Sequence, residues 1–191
     1  WVAEAPSFTN VVDTTVYYRV TKANYNDVTG EIAVKISKAD MTGITVEPVL
    51  GAVYNTAAQA SATVVIPTGA AIEYSTDGGN TWSSELPKFT DANTYTVQYK
   101  ITKANYNDVT GSYEFTIANA PASELNVVAD NIDVVYDGTA KEALVTAIAG
   151  ATVEYSTDGG NTWDTVVPSF TDVVDTTVDY RVSKTNYDTA T

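Results

Sequence analysis

Apolar residues fall on every second position through much of the chain. Tyr95, Val97, Tyr99 and Ile101 alternate with polar neighbours, and the same alternation returns in Val16, Tyr18, Val20 and in Val178, Tyr180, Val182. A period of two with β-branched and aromatic residues marks a strand buried on one face. Ile32, Val34, Ile36 and Tyr113, Phe115, Ile117 read the same way, as do the shorter runs Ala71–Ser75 and Thr152–Ser156. No window sustains a 3.6-residue period with caps, so the pattern predicts an all-β chain folded as antiparallel β-sandwich.

A longer period overlies this one. Trp1, Trp82 and Trp163 stand 81 residues apart, and Phe8, Phe89, Phe170, then Tyr18, Tyr99, Tyr180, then Tyr25, Tyr106, Tyr187 keep that register. The octapeptide S-T-D-G-G-N-T-W ends at both Trp82 and Trp163, and K-A-N-Y-N-D-V-T-G occurs at 22–30 and 103–111. A unit of that length exceeds helical or leucine-rich solenoid repeats and suffices for a free-standing β-domain. The expectation is a tandem array of antiparallel β-sandwich modules with an 81-residue repeat. Small, polar and proline residues interrupt the alternation at 37–43 and 118–124 and place boundaries there. Residues 1–37 are then the C-terminal half of a module, 38–119 a complete module, and 120–191 one that lacks its last strand. Two explanations of that phase stay open: a segment of a longer array, or head-to-tail completion in which a neighbouring copy supplies the missing strand.

Composition narrows the function classes. With 44% apolar and 18% charged residues the chain has enough to bury a core. Twenty-four acidic against 10 basic residues give a net charge of −14, which disfavours nucleic acid and anionic membrane surfaces as partners. The absence of His and Cys removes Ser-His-Asp and Cys-His catalysis, zinc and iron–sulfur sites, and disulfides. No apolar run approaches the ~20 residues of a membrane span, and no signal-like segment opens the chain, which reads as a mature or internal piece.

From Asp130 the chain reads D-N-I-D-V-V-Y-D-G-T-A-K-E-A, followed by E-Y-S-T-D-G-G-N-T-W, P-S-F-T-D-V and Y-R-V-S-K-T-N-Y. This order resembles the YDG/MBG-type Ig-like repeats of bacterial surface and adhesin-like proteins, although the middle copy departs from it with Tyr54-Asn55-Thr56. The resemblance implies an extracellular stalk of Ig-like modules and assigns no ligand. Within it, Ser75, Asp77, Gly79, Thr81, Trp82 and Ser156, Asp158, Gly160, Thr162, Trp163 form S-x-D-x-G-x-T-W, which is similar to the Asp-box of sialidases and related propellers. The physical reason for that pattern is a tight hairpin: glycine takes positive φ, the Asp side chain accepts turn amides, and the Trp packs under the loop. A sialidase also needs an arginine triad, and the chain has only Arg19 and Arg181, copies of one position that is Lys100 in the middle. Asp91 to Tyr95 resembles the D-x-A-x-x-Y stretch that leads into the tyrosine corner of immunoglobulin-type domains.

Glu73, Asp77, Asp91, Glu154, Asp158 and Asp172 are the carboxylates open to acid–base work, but they recur with the repeat and show no positioned partner, so no enzyme is expected. No cofactor is expected either. Calcium is the one metal considered, at Asn105, Asn107, Asp108 and at Asp130, Asn131, Asp133, Asp137, without an EF loop or a Ca²⁺-binding nonapeptide. Lys22, Lys103 and Lys184 lie two residues from Asn24, Asn105 and Asn186, too close on one strand for an isopeptide cross-link. Tyr25, Tyr106 and Tyr187 are the candidate ligand-contact aromatics, or else plugs at strand ends. The expected function is a non-enzymatic structural repeat segment, stalk or filament-forming, of a bacterial extracellular or cell-surface protein. The alternative is an adhesin or carbohydrate-binding module using those tyrosines and the turn carboxylates. Its partners would be neighbouring repeats, copies of itself, or cell-surface glycans or proteins, with no nucleic acid and no membrane insertion.

Overall fold

The computed structural model describes residues 1–191. Its strands are β1 (Val12–Val20), β2 (Val28–Ile36), β3 (Thr45–Pro48), β4 (Ala52–Val53), β5 (Gln59–Ala60), β6 (Ala62–Val65), β7 (Ala71–Ser75) and β8 (Lys88–Phe89). They continue with β9 (Asn93–Thr102), β10 (Val109–Ala118), β11 (Val128–Ala129), β12 (Lys141–Glu142), β13 (Val145–Thr146), β14 (Thr152–Ser156), β15 (Ser169–Phe170) and β16 (Asp179–Ser183). A single 3₁₀ turn, Ala122–Leu125, is the only helical element, so the chain is all-β as the period-two pattern predicts. It divides into two compact units, each discontinuous in sequence: Trp1–Pro48, Ser61–Pro87 and Thr96–Glu114, and then Val49–Ala60, Lys88–Tyr95 and Phe115–Thr191.

In the first unit β7 pairs antiparallel with β9 from Ala71↔Thr102 to Ser75↔Gln98, and β10 is the neighbour on the other side of β9. A separate antiparallel pair is β3–β6, from Thr45↔Val65 to Pro48↔Ala62. Ala62, Tyr74, Val97, Ile101 and Tyr113 form the core, with the Ser61 and Tyr113 hydroxyls hydrogen-bonded at 2.8 Å. Burial raises the Tyr113 phenol above its usual range, against the Ser61 bond that lowers it. The hairpin β1–β2 holds register from Val12↔Ile36 to Val20↔Val28. Its predicted inner face is left open, with Tyr18, Val20 and Ile32 exposed, because no second layer covers it. Glycine is required in two strands: a Cβ at Gly30 would meet the Tyr18 ring, and one at Gly111 the Tyr99 ring.

In the second unit the end of β10 runs parallel to β4, pairing Ile117 with Ala52 and Ala118 with Val53. Phe115 and Ile117 are fully buried, each worth about 1.5–3 kcal/mol of transfer free energy. Phe89 stacks on Tyr95 at 3.8 Å, and the Tyr95 hydroxyl donates to the Asp91 carbonyl at 2.9 Å, a bond of the tyrosine-corner kind back to the chain four residues upstream. Further along, β11–β13, β12–β15 and β14–β16 pair antiparallel around a core of Leu125, Val145, Tyr155 and Val182. Residues 130–140 contain no strand and are exposed throughout.

Candidate functional site

The hairpin after β7 is closed by its own side chains. Asp77 Oδ1 accepts the amides of Asn80 (3.0 Å) and Thr81 (2.9 Å), Oδ2 accepts the Thr81 hydroxyl (2.6 Å), and the Ser75 hydroxyl donates to Oδ1 (2.7 Å). The Gly79 amide, at φ +91°, donates to Ser75 Oγ, and Trp82 Nε1 donates to the Gly79 carbonyl at 3.1 Å. After β14 the same bonds recur: Asp158 with Asn161 (3.0 Å) and Thr162 (2.9 and 2.7 Å), Ser156 with Asp158 (2.7 Å), Gly160 with Ser156 (2.8 Å), and Trp163 with Gly160 (3.1 Å). Bonds from Thr162, then Ser156 and Asn161, pull the Asp158 carboxyl down to about 2, and the matching bonds hold Asp77 well below the carboxylate range. Both carboxylates are thus committed to their own turns and offer nothing to a reacting group.

Beside each hairpin a cation lies over the indole. Lys100 Nζ sits 4.9 Å from the Trp82 ring, Arg181 Cζ 4.6 Å from Trp163, and Arg19 Cζ 4.9 Å from Trp1. Lys100 also meets Glu73 at 2.9 Å, and Arg181 holds Glu154 through two bonds of 2.6 and 3.0 Å. The Arg181 guanidinium keeps the Glu154 carboxyl below its usual range, which suits an ion pair and not a proton donor. These pairs escaped the sequence reading, although the signal was present: an acid and a base 27 residues apart in β7–β9 and again in β14–β16.

The N-Y loops lie at strand ends, after β1, β9 and β16. Asn105 and Asn186 take φ +69° and +71°, and their side chains bond the chain at Asn10 and Val11 and at Asp91 and Ala92. Tyr106 bridges to Ala39 and Tyr187 to Ala120, so both tyrosines are half-buried; Tyr187 also meets Tyr54 edge-on at 5.5 Å. Only Tyr25, 68% exposed, stands free, with Lys22 over its ring at 4.7 Å. The two acidic clusters do not assemble either: Asn107 donates to Asp40, Asp137 is tied to Thr139 and Lys141, and no group of three or more His, Cys, Asp or Glu comes together. Asp172 is exposed.

The chain is all-β, and the polar side chains of its hairpins and N-Y loops are engaged in turns and at strand ends. Residues 46–118, less than half of the chain, match the CopC domain, the Ig-like β-sandwich of copper resistance protein C. Comparison with curated proteins and with solved structures finds no match. The CopC copper-binding proteins that this stretch is similar to are non-enzymatic. No helix is long and apolar enough to cross a membrane.

The match corrects several expectations. In place of the YDG/MBG-type repeats, the family model that matches, over residues 46–118, is CopC. It overturns both the stalk or filament segment and the adhesin or carbohydrate-binding module. Nothing supports repeats or glycans as partners. The CopC domain binds copper, which contradicts the expectation of no cofactor with calcium as the sole metal considered. Copper sites draw on imidazole, thiolate or thioether donors. Residues 46–118 contain no His, Cys or Met, and the chain's single methionine, Met41, lies outside them. With no acidic cluster to substitute, the residues present do not fit a copper ion.

Proposed function

We propose that this chain is an extracytoplasmic, non-enzymatic β-sandwich of the copper-resistance type that works through protein partners and does not itself load copper. One observation carries the reading: the CopC match falls on a stretch that contains no His, Cys or Met as copper donors. CopC proteins are periplasmic or extracellular and interact with partner copper-handling proteins, which supports a role on the protein side of such a system. We read the chain further as copies of one Ig-like sandwich at an 81-residue offset, divided at 37/38 and 119/120. The recurrence of the hairpin bonds and of the Asn105 and Asn186 bonds supports this.

Calorimetric titration with Cu(II), and chelator competition for Cu(I), test the proposal. Only weak, non-stoichiometric uptake is expected. One copper per chain at sub-micromolar Kd would overturn it.

A further inference from the structure

Val11 and Ala92 stand directly ahead of β1 and β9, and each donates its amide to an asparagine side chain 94 residues further on. Val11 reaches Asn105 Oδ1 and Ala92 reaches Asn186 Oδ1, both at 2.9 Å. The other end of each side-chain amide is also used: Asn105 Nδ2 donates to Asn10 Oδ1, and Asn186 Nδ2 to Asp91 Oδ1, again at 2.9 Å. Both asparagines hold the left-handed backbone that Asn adopts more readily than most residues. Their carbonyls accept the amides of Ala39 (3.0 Å) and Ala120 (2.9 Å), and Asn107 and Asp188 donate back to the same two alanines. Each set of bonds lies within one compact unit.

One residue separates the two sets. Asn10 of the first is replaced by Asp91 in the second. An Asn10–Asn105 pair can exchange donor and acceptor by turning an amide, whereas the Asp91 carboxylate only accepts, so position 186 must donate. Asp91 is held twice, its carbonyl by the Tyr95 hydroxyl from inside residues 46–118 and its carboxylate by Asn186 from outside them. We propose that Asn186 is a latch of fixed polarity that couples the CopC-matched stretch to residues 184–188 by seating the 91–92 corner ahead of β9. Asn105 makes the corresponding latch ahead of β1 without that polarity. The matched stretch thus acts as one body with a loop that lies outside the match.

Residue-resolved amide exchange on the intact 191-residue chain tests this. Asn186→Asp sets a carboxylate against that of Asp91, and exchange of the Ala92 amide should rise at least about tenfold. Adding Asp91→Asn supplies a donor opposite it and should return Ala92 to within about threefold of its native rate. Asn105→Asp should change Val11 by less than about threefold, because the Asn10 amide turns to donate. Asn186→Gly keeps the positive φ and removes only the side chain, so Ala92 should open while Ala120 stays protected. That variant decides the matter if Asn186→Asp does not fold. Equal effects of the two Asn→Asp changes, failure of Asp91→Asn to rescue, or Ala92 and Ala120 responding alike in Asn186→Gly would overturn the proposal. Copper uptake enters none of these readouts, so the latch and the copper reading fail separately.

Discussion

Asn93–Thr102 and residues 174–183 share one apolar pattern, yet the first is strand throughout and the second only from Asp179 to Ser183. Val97 is fully buried where Val178 is half-buried. Val182 is buried as completely as Ile101, because it packs on Leu125, Val145 and Tyr155. The pattern thus decides which face a strand would bury, while a hydrogen-bonding neighbour decides whether the strand forms. β9 has neighbours on both sides, β7 and β10. At 174–178 no strand plays the part of β10, and Thr176 stands where Tyr95 clamps Phe89 and bonds Asp91.

The largest effect should come from the covered stretch. Phe115→Ala removes a fully buried ring and is expected to cost about 3–5 kcal/mol in urea denaturation. Val173→Ala, at an exposed position in the other stretch, should stay within about 0.5 kcal/mol. Equal losses would break the comparison. A smaller effect tests the missing clamp: Thr176→Tyr should restore stacking on Phe170 and raise stability by roughly 0.5–1.5 kcal/mol in the same assay. No gain would mean that the absent neighbour alone keeps 174–178 out of the sheet.

The smallest expected difference lies where the two stretches agree. Asp77 and Asp158 have folded pKa values depressed by their Thr81 and Thr162 bonds, so the stability they confer is present above the unfolded carboxylate range near 4. It is lost as pH falls from about 4 toward 2, when the carboxylates protonate in the folded state. Acid titration of Asp77→Asn and Asp158→Asn should show matching reductions of the slope in that window. A slope unchanged by both substitutions would remove the hairpin bonds as a source of acid sensitivity.

Much of this was legible in the residues. The alternation of Tyr113, Phe115 and Ile117 located β10 and its buried face, S-T-D-G-G-N-T-W located two hairpins, and Asp91 to Tyr95 carried its corner bond. The exposure of Tyr18, Val20 and Ile32 was not legible, because burial depends on a covering layer and not on the strand's own pattern. Copper as the family's metal was equally hidden: metal chemistry is read from donor residues, and residues 46–118 have none of the copper-binding types. The Glu154–Arg181 pair was readable only once β14 and β16 were set side by side.

Amide hydrogen exchange along the intact chain tests the central comparison most directly, because both stretches report in one experiment. Amides 97–101 are expected to be protected to near the global stability of their unit, while 174–178 exchange freely and protection resumes only at 180–183. Protection running evenly through 174–183 would contradict the claim that a neighbouring strand, and not the local pattern, makes these residues a strand.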